Sequence, residues 1–98
     1  MTLFENGHTF KLGELYCGPG GLAYGATHAQ SSNGLLKVEH TWANDVDEDT
    51  CNTYRKNICP DDPDSVICSD VRNLDMQNLS KIDAFFGMFY WFFATFYV

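Results

Sequence analysis

Apolar and polar positions divide the chain into alternating extended and helical stretches. Residues 10–16 form a short run, closed by Leu15 and Tyr16, that reads as a buried strand. Residues 22–30 carry Ala23, Ala26 and Ala29 and favour a helix. Over residues 35–43, Leu36, Val38, His40 and Trp42 share one face of an extended chain and Lys37, Glu39 and Thr41 the other, which predicts a second strand. Cys51, Tyr54 and Ile58 recur at three-to-four spacing, so residues 47–57 read as an amphipathic helix, stopped by Pro60. Ser65-Val66-Ile67-Cys68 is short, apolar and β-branched and suits a central strand of a parallel sheet. Residues 73–81, with Leu74, Met76 and Leu79, fit a short helix or a folded loop, and residues 82–86 predict a fourth strand.

The punctuation agrees with this division. Ser31-Ser32-Asn33-Gly34 is a turn cluster, and Asn-Gly supplies the positive φ that a tight reversal needs. Asp47-Glu48-Asp49 puts negative charge on the first turn of the second helix, where it complements the helix dipole, so a cap is an adequate explanation for Asp47. The resulting β-α-β-α-β-loop-β series predicts an α/β fold with a mainly parallel sheet of about four strands. No internal repeat or linker interrupts it.

The stretch Leu15-Tyr16-Cys17-Gly18-Pro19-Gly20-Gly21 organises the rest. It sits between the first strand and the first helix, where glycines let the backbone turn sharply and approach a ligand, and where the helix start offers unpaired N–H groups. Asp45, Asp70 and Asp83 stand at or beside the ends of predicted strands, and in a parallel sheet those ends face one crevice. Asp45 is placed to accept hydrogen bonds from both hydroxyls of a ribose. Asp70 either reaches the exocyclic amine of a base or holds Arg72 in a surface pair worth little. Neither acid has a Ser or His partner suited to nucleophile activation, which argues against a hydrolase. Glycine turn and acids together point to a nucleotide-like cofactor, while Gly21-Leu22-Ala23 fits the Gly-x-Gly-x-x-Gly pattern of dinucleotide sites poorly.

Charge and cysteine usage narrow the classes. Six basic against thirteen acidic residues give a formal net charge of -7, the wrong sign for gripping a phosphate backbone unaided. Cys17, Cys51, Cys59 and Cys68 are spaced too widely for a zinc or redox pair, so no metal site is expected. The first eight residues lack the basic start and apolar run of a signal peptide, and the unpatterned cysteines favour a reducing cytoplasm. Residues 84–98 carry nine of the fifteen aromatics and no charge. A membrane span needs roughly 20 apolar residues, so the expectation is a buried strand with a sticky end and no membrane contact.

Leu15-Tyr16-Cys17-Gly18-Pro19-Gly20-Gly21-Leu22 resembles the Phe-x-Gly-x-Gly-Gly motif of DNA (cytosine-5)-methyltransferases, the type II restriction-modification enzymes that use S-adenosylmethionine. Trp42-Ala43-Asn44-Asp45-Val46-Asp47 resembles that family's second motif, whose acid holds the cofactor ribose. Ser69-Asp70-Val71-Arg72 resembles the third, whose Asp faces the adenine. The resemblance implies a Rossmann-like methyltransferase fold and an S-adenosylmethionine site formed by Tyr16, Cys17, Gly18, Pro19, Gly20, Gly21, Asp45, Val46, Asp70 and Val71. It implies methyl transfer to carbon 5 of a cytosine flipped out of double-stranded DNA, started by a cysteine thiolate adding to carbon 6.

That cysteine belongs to a Gly-Phe-Pro-Cys motif after the fourth strand. Aligned on Gly87, Phe89 falls at the proline and Tyr90 at the cysteine, so no catalytic residue is assigned. The expectation is a partial cofactor-binding domain over residues 1–86, an aromatic tail over 87–98 that departs from the family, and no turnover by this chain alone. The alternative is a non-catalytic module that binds cofactor or a complementary chain.

Overall fold

A computed structural model describes residues 6–87. Four strands, β1 (His8–Leu15), β2 (Leu36–Asp45), β3 (Val66–Cys68) and β4 (Ala84–Phe86), form one sheet in the order β3-β2-β1-β4, and every neighbouring pair is parallel. Helices α1 (Gly21–His28) and α2 (Glu48–Ile58) make the first two crossovers. The α/β expectation holds, as do the number and order of elements.

The ladder explains where the strand limits differ from the pattern. His8 N–H donates to the Leu35 carbonyl at 2.8 Å and pairing runs from His8↔Leu36 to Leu15↔Asn44, so β1 starts before its apolar run and β2 continues past Trp42. The short β3 lies at one end of the four strands, not in the centre, because β1 already occupies the other side of β2. Residues 73–81 take the folded-loop alternative, with single 3-10 turns at Val71–Asn73 and Met76–Asn78.

One expectation about β2 is corrected. The pairing shifts by a residue between Leu12↔His40 and Gly13↔Trp42, leaving Thr41 as an extra residue. A bulge of this kind re-aims the side chains beyond it. His40 therefore keeps the helix-covered face and meets Tyr54 of α2, while Trp42 turns to the opposite face, donates its indole N–H to the Ser80 carbonyl at 3.0 Å and packs over Gly13. His40 and Trp42 do not share a face.

The core lies between the sheet and the helices. Leu12, Ala23, Ala43, Cys51 and Tyr54 are completely buried there and Val66 nearly so. Full burial of a side chain such as Leu12 contributes about 2 kcal/mol. The spacing of Cys51, Tyr54 and Ile58 turns one stripe of α2 onto this core, as read from the sequence. No helix among the described residues is long and apolar enough to cross a membrane. The aromatic tail beyond Gly87, with Tyr90, lies outside the described residues.

Candidate functional site at the strand ends

The site begins where β1 runs out. Tyr16 has φ +56°, a left-handed conformation that side chains disfavour, and Gly18 at +61° and Gly20 at +106° continue the reversal. The backbone is pinned through it because Cys17 N–H donates to the Asn44 carbonyl of β2 at 3.0 Å. Gly20 is required twice over. Its φ favours glycine, and a Cβ there would lie 2.9 Å from Ile58 Cγ1 and 3.2 Å from Tyr54 Cδ2. Cβ positions at Gly18 and Gly21 instead meet nothing within 4 Å, so the turn leaves open space there.

Asp45 ties the turn to the next helix. One carboxylate oxygen accepts the Gly18 N–H at 3.0 Å and the other accepts the Asp47 N–H at 3.0 Å. Asp47 then caps α2, accepting from Thr50 N–H at 2.9 Å and from the Thr50 hydroxyl at 2.6 Å, and these bonds hold its carboxyl below the usual carboxylate range. Asp70 behaves differently. It accepts from Arg72 N–H at 2.9 Å, Nε at 3.0 Å and Nη2 at 2.6 Å, and those hydrogen bonds lower its carboxyl to about 2. The surface pair with Arg72 is thus formed, and it leaves the carboxylate at the mouth of the crevice.

A cavity of about 350 Å³ opens between these ends. Tyr16, Asp45, Val46, Asp70 and Val71 line it, together with Asn44, Ser69 and Arg72. Its volume falls in the range of small-molecule sites. Pro19, Gly20 and Gly21 face a neighbouring hollow of about 420 Å³ with Tyr24 and Asn57. Gly18 is joined to the first cavity through its bond to Asp45. The Cys17 side chain points into the core instead. Burial and the negative charges of Asp45 and Glu14 push that thiol far up, so it is no nucleophile.

Sequence reasoning missed Asn44, Ser69 and Arg72 as lining residues. Asn44 is 1% exposed, and its amide donates to the Ile67 carbonyl at 2.7 Å and the Ser69 carbonyl at 3.0 Å, stitching the end of β2 to β3. The available signal was a polar residue at the buried end of a strand, which must find partners.

The arrangement can hold a polar ligand by carboxylates and backbone at the carboxyl ends of β1, β2 and β3. Residues 10–89 match the profile of the C-5 cytosine-specific DNA methylases. The chain belongs to that family. It is 54% identical over 84 residues to the Type II methyltransferase M.BbvI of Brevibacillus brevis, an alignment that covers 78% of this chain and 22% of that protein. The chain thus spans about a fifth of the length of the curated relative it matches. No solved structure matches it significantly. Within this methylase family, the parallel sheet with its strand-turn-helix start is the Rossmann-like architecture that the motifs implied.

Proposed function

We propose that this chain is the cofactor-binding part of a cytoplasmic DNA (cytosine-5)-methyltransferase of the restriction-modification kind, and that the strand-end cavity takes S-adenosylmethionine. The observation that carries this reading is the convergence of Tyr16, Asp45, Val46, Asp70 and Val71 on one cavity, although they come from three separate stretches of sequence.

The donor set fits the cofactor. A carboxylate has about four acceptor positions. Asp45 uses two on backbone N–H groups, which leaves two for ribose hydroxyls. Asp70 uses three on Arg72, which leaves one for an exocyclic amine. Val46 and Val71 supply apolar walls for a base, and the open space beside Gly18 and Gly21 receives the amino-acid end. Bound there, S-adenosylmethionine supplies an electrophilic methyl group. This chain's part is to bind and orient it.

The position aligned with the family's cysteine is Tyr90, so in this reading the chain alone transfers no methyl group. Residues 1–86 act as a partial cofactor domain, and the departure from the family falls in residues 87–98, of which 90–98 lie beyond the matched stretch. Double-stranded DNA is the substrate of the complete enzyme. With a net charge of -7, most of its DNA contacts belong to segments not present here.

The test is calorimetric titration of the 98-residue chain with S-adenosylhomocysteine, beside an assay of labelled methyl transfer to DNA. Binding that is lost in Asp45→Ala, without methyl transfer, is the expected result. Methyl transfer by the chain alone would refute the assignment of Tyr90, and binding indifferent to Asp45 would refute the site.

A further inference from the structure

Asp70 lines the cavity from a segment that has already left the sheet. The last register pair of β2 and β3 is Asp45↔Cys68, and Asp70 stands beyond it. From Asp70 to Leu74 the chain closes on itself. Asp70 accepts from Arg72 N–H, Nε and Nη2, the Asp70 carbonyl accepts the Asn73 N–H at 2.9 Å, and the Val71 carbonyl accepts the Leu74 N–H at 3.1 Å. These bonds hold residues 70–74 together as a small unit. None of them fixes that unit relative to Asp45.

Ser69 supplies the attachment. Among the described residues, the hydrogen bonds that tie residues 69–72 to the other strands run from Ser69 to Asn44 and Asp45. Ser69 N–H donates to the Asp45 carbonyl at 3.0 Å. Asn44 Nδ2 donates to the Ser69 carbonyl at 3.0 Å and to the Ile67 carbonyl at 2.7 Å, with Ser69 Oγ further off at 3.4 Å. Both close partners are carbonyls, so the atom between them is the amide nitrogen, and each of its two protons has an acceptor. The Ser69 carbonyl shares one planar peptide with the Asp70 nitrogen. Holding that oxygen therefore fixes the plane from which Asp70 departs.

The side chain and the backbone of Asn44 serve different ends of the cavity. The side chain is 1% exposed, so water does not compete for its amide, and its loss would leave two carbonyls without their donor. The Asn44 carbonyl accepts the Cys17 N–H at 3.0 Å, and the next residue, Asp45, accepts the Gly18 N–H. A side-chain substitution at Asn44 leaves both bonds to the glycine turn in place. It removes only the hold on the Asp70 segment.

That hold has a chemical consequence. Paired with Arg72, the Asp70 carboxyl stays ionised and can only accept hydrogen bonds. Adenine offers it an exocyclic amine. Hypoxanthine carries a carbonyl oxygen at that place and moves its donor to the adjacent ring nitrogen. A carboxylate held at one separation from Asp45, the ribose acceptor, meets the first donor and opposes the carbonyl oxygen of the second base. A carboxylate free to drift with its segment follows the donor and takes either base.

We infer that Asn44 is a positioning residue that clamps the Ser69–Arg72 segment at a fixed separation from Asp45 and so makes the cavity selective for a 6-aminopurine; this rests on the cofactor reading of the cavity. Asn44 acts through Asp70 and makes no bond to the base itself.

The experiment measures the affinity of the full 98-residue chain for three ligands: S-adenosylhomocysteine, S-inosylhomocysteine, which has hypoxanthine for adenine, and 5′-methylthioadenosine, which lacks the amino-acid end. The wild-type chain is expected to prefer adenine by about tenfold or more, as for a hydrogen bond to a charged group. In Asn44→Ala that preference is expected to fall to about twofold, while the ratio of S-adenosylhomocysteine to 5′-methylthioadenosine stays at its wild-type value. A wild-type chain that binds both bases equally, an Asn44→Ala chain that keeps the preference, or a parallel collapse of both ratios would overturn the inference. If Asn44→Ala does not fold, the wild-type chain decides: exchange of the Asn44 Nδ2 protons with solvent must be slower in the S-adenosylhomocysteine complex than in the S-inosylhomocysteine complex, and equal rates refute the role. If the wild-type chain binds none of the three, the cofactor reading has failed and the clamp is judged alone. Asn44 Nδ2 protons that then exchange as fast as those of an exposed asparagine refute it.

Discussion

Asp45 ends β2, Asp70 follows two residues after the end of the neighbouring parallel strand β3, and both line the same cavity, yet the fold uses them in opposite ways. The partners of Asp45 are Gly18, 27 positions away in sequence, and Asp47 at the mouth of α2, so its carboxylate is a joint between β1, β2 and the helix. The partner of Asp70 is Arg72, two positions away and with a largely exposed side chain. A joint cannot be removed without disturbing what it joins. A local, solvated pair can open and close without consequence for the rest of the chain. One acid thus shapes the cavity, and the other is available to whatever enters it.

The sharpest way to break this contrast is Asp45→Ala. Loss of two charge-assisted bonds to backbone N–H groups is expected to destabilise the chain by about 2–3 kcal/mol, seen as a lower denaturation midpoint, together with loss of S-adenosylhomocysteine binding. A stability equal to wild type would show that Asp45 is no joint. Asp70→Asn is expected to leave the denaturation midpoint unchanged while weakening binding by about tenfold. If the midpoint falls as far as in Asp45→Ala, the two acids are equivalent and the comparison fails.

Smaller effects sharpen the picture. Arg72→Ala releases the two side-chain donors from Asp70, leaves the backbone N–H in place, and is expected to change affinity by about twofold without changing stability, since exposed pairs are worth little. Carboxyl carbon shifts supply the last check. Because the Asp70 carboxyl is depressed in the folded chain, its pairing with Arg72 is intact above the ordinary carboxylate range and is lost as pH falls through about 2. A midpoint at the ordinary aspartate value would mean that the pair does not persist in solution.

Much of this was legible because it is local. The alternation in Leu36, Val38 and His40, the α2 stripe of Cys51, Tyr54 and Ile58, and the cap at Asp47 all depend on neighbours within a turn or a strand, and each is found where the pattern put it. The Asp70–Arg72 pair was open to reading for the same reason. Trp42 was misplaced because the bulge at Thr41 arises from the match between two strands, which one strand's periodicity does not encode. Asn44 was missed because its role is set by carbonyls of Ile67 and Ser69, and an amide side chain looks the same in a loop as in a buried joint. The division of the lining into two hollows was equally hidden, since it is set by the tertiary placement of residues from separate elements.

The sequence by itself determined the order of elements, the α/β class, the glycine turn with its attendant acids, and through three motifs the cytosine-5 methylase family. These are properties of short stretches, written in periodicity, turn chemistry and motif spacing. The tertiary structure alone decided that Asp45 spans two crossovers while Asp70 answers only to Arg72, that Trp42 leaves the face of His40, and that Glu14, Tyr54 and His40 meet in the core. Those outcomes depend on strand register and helix docking, which bring together residues up to 40 positions apart, as Glu14 and Tyr54 are. A buried polar group takes its role from the partner that packing delivers.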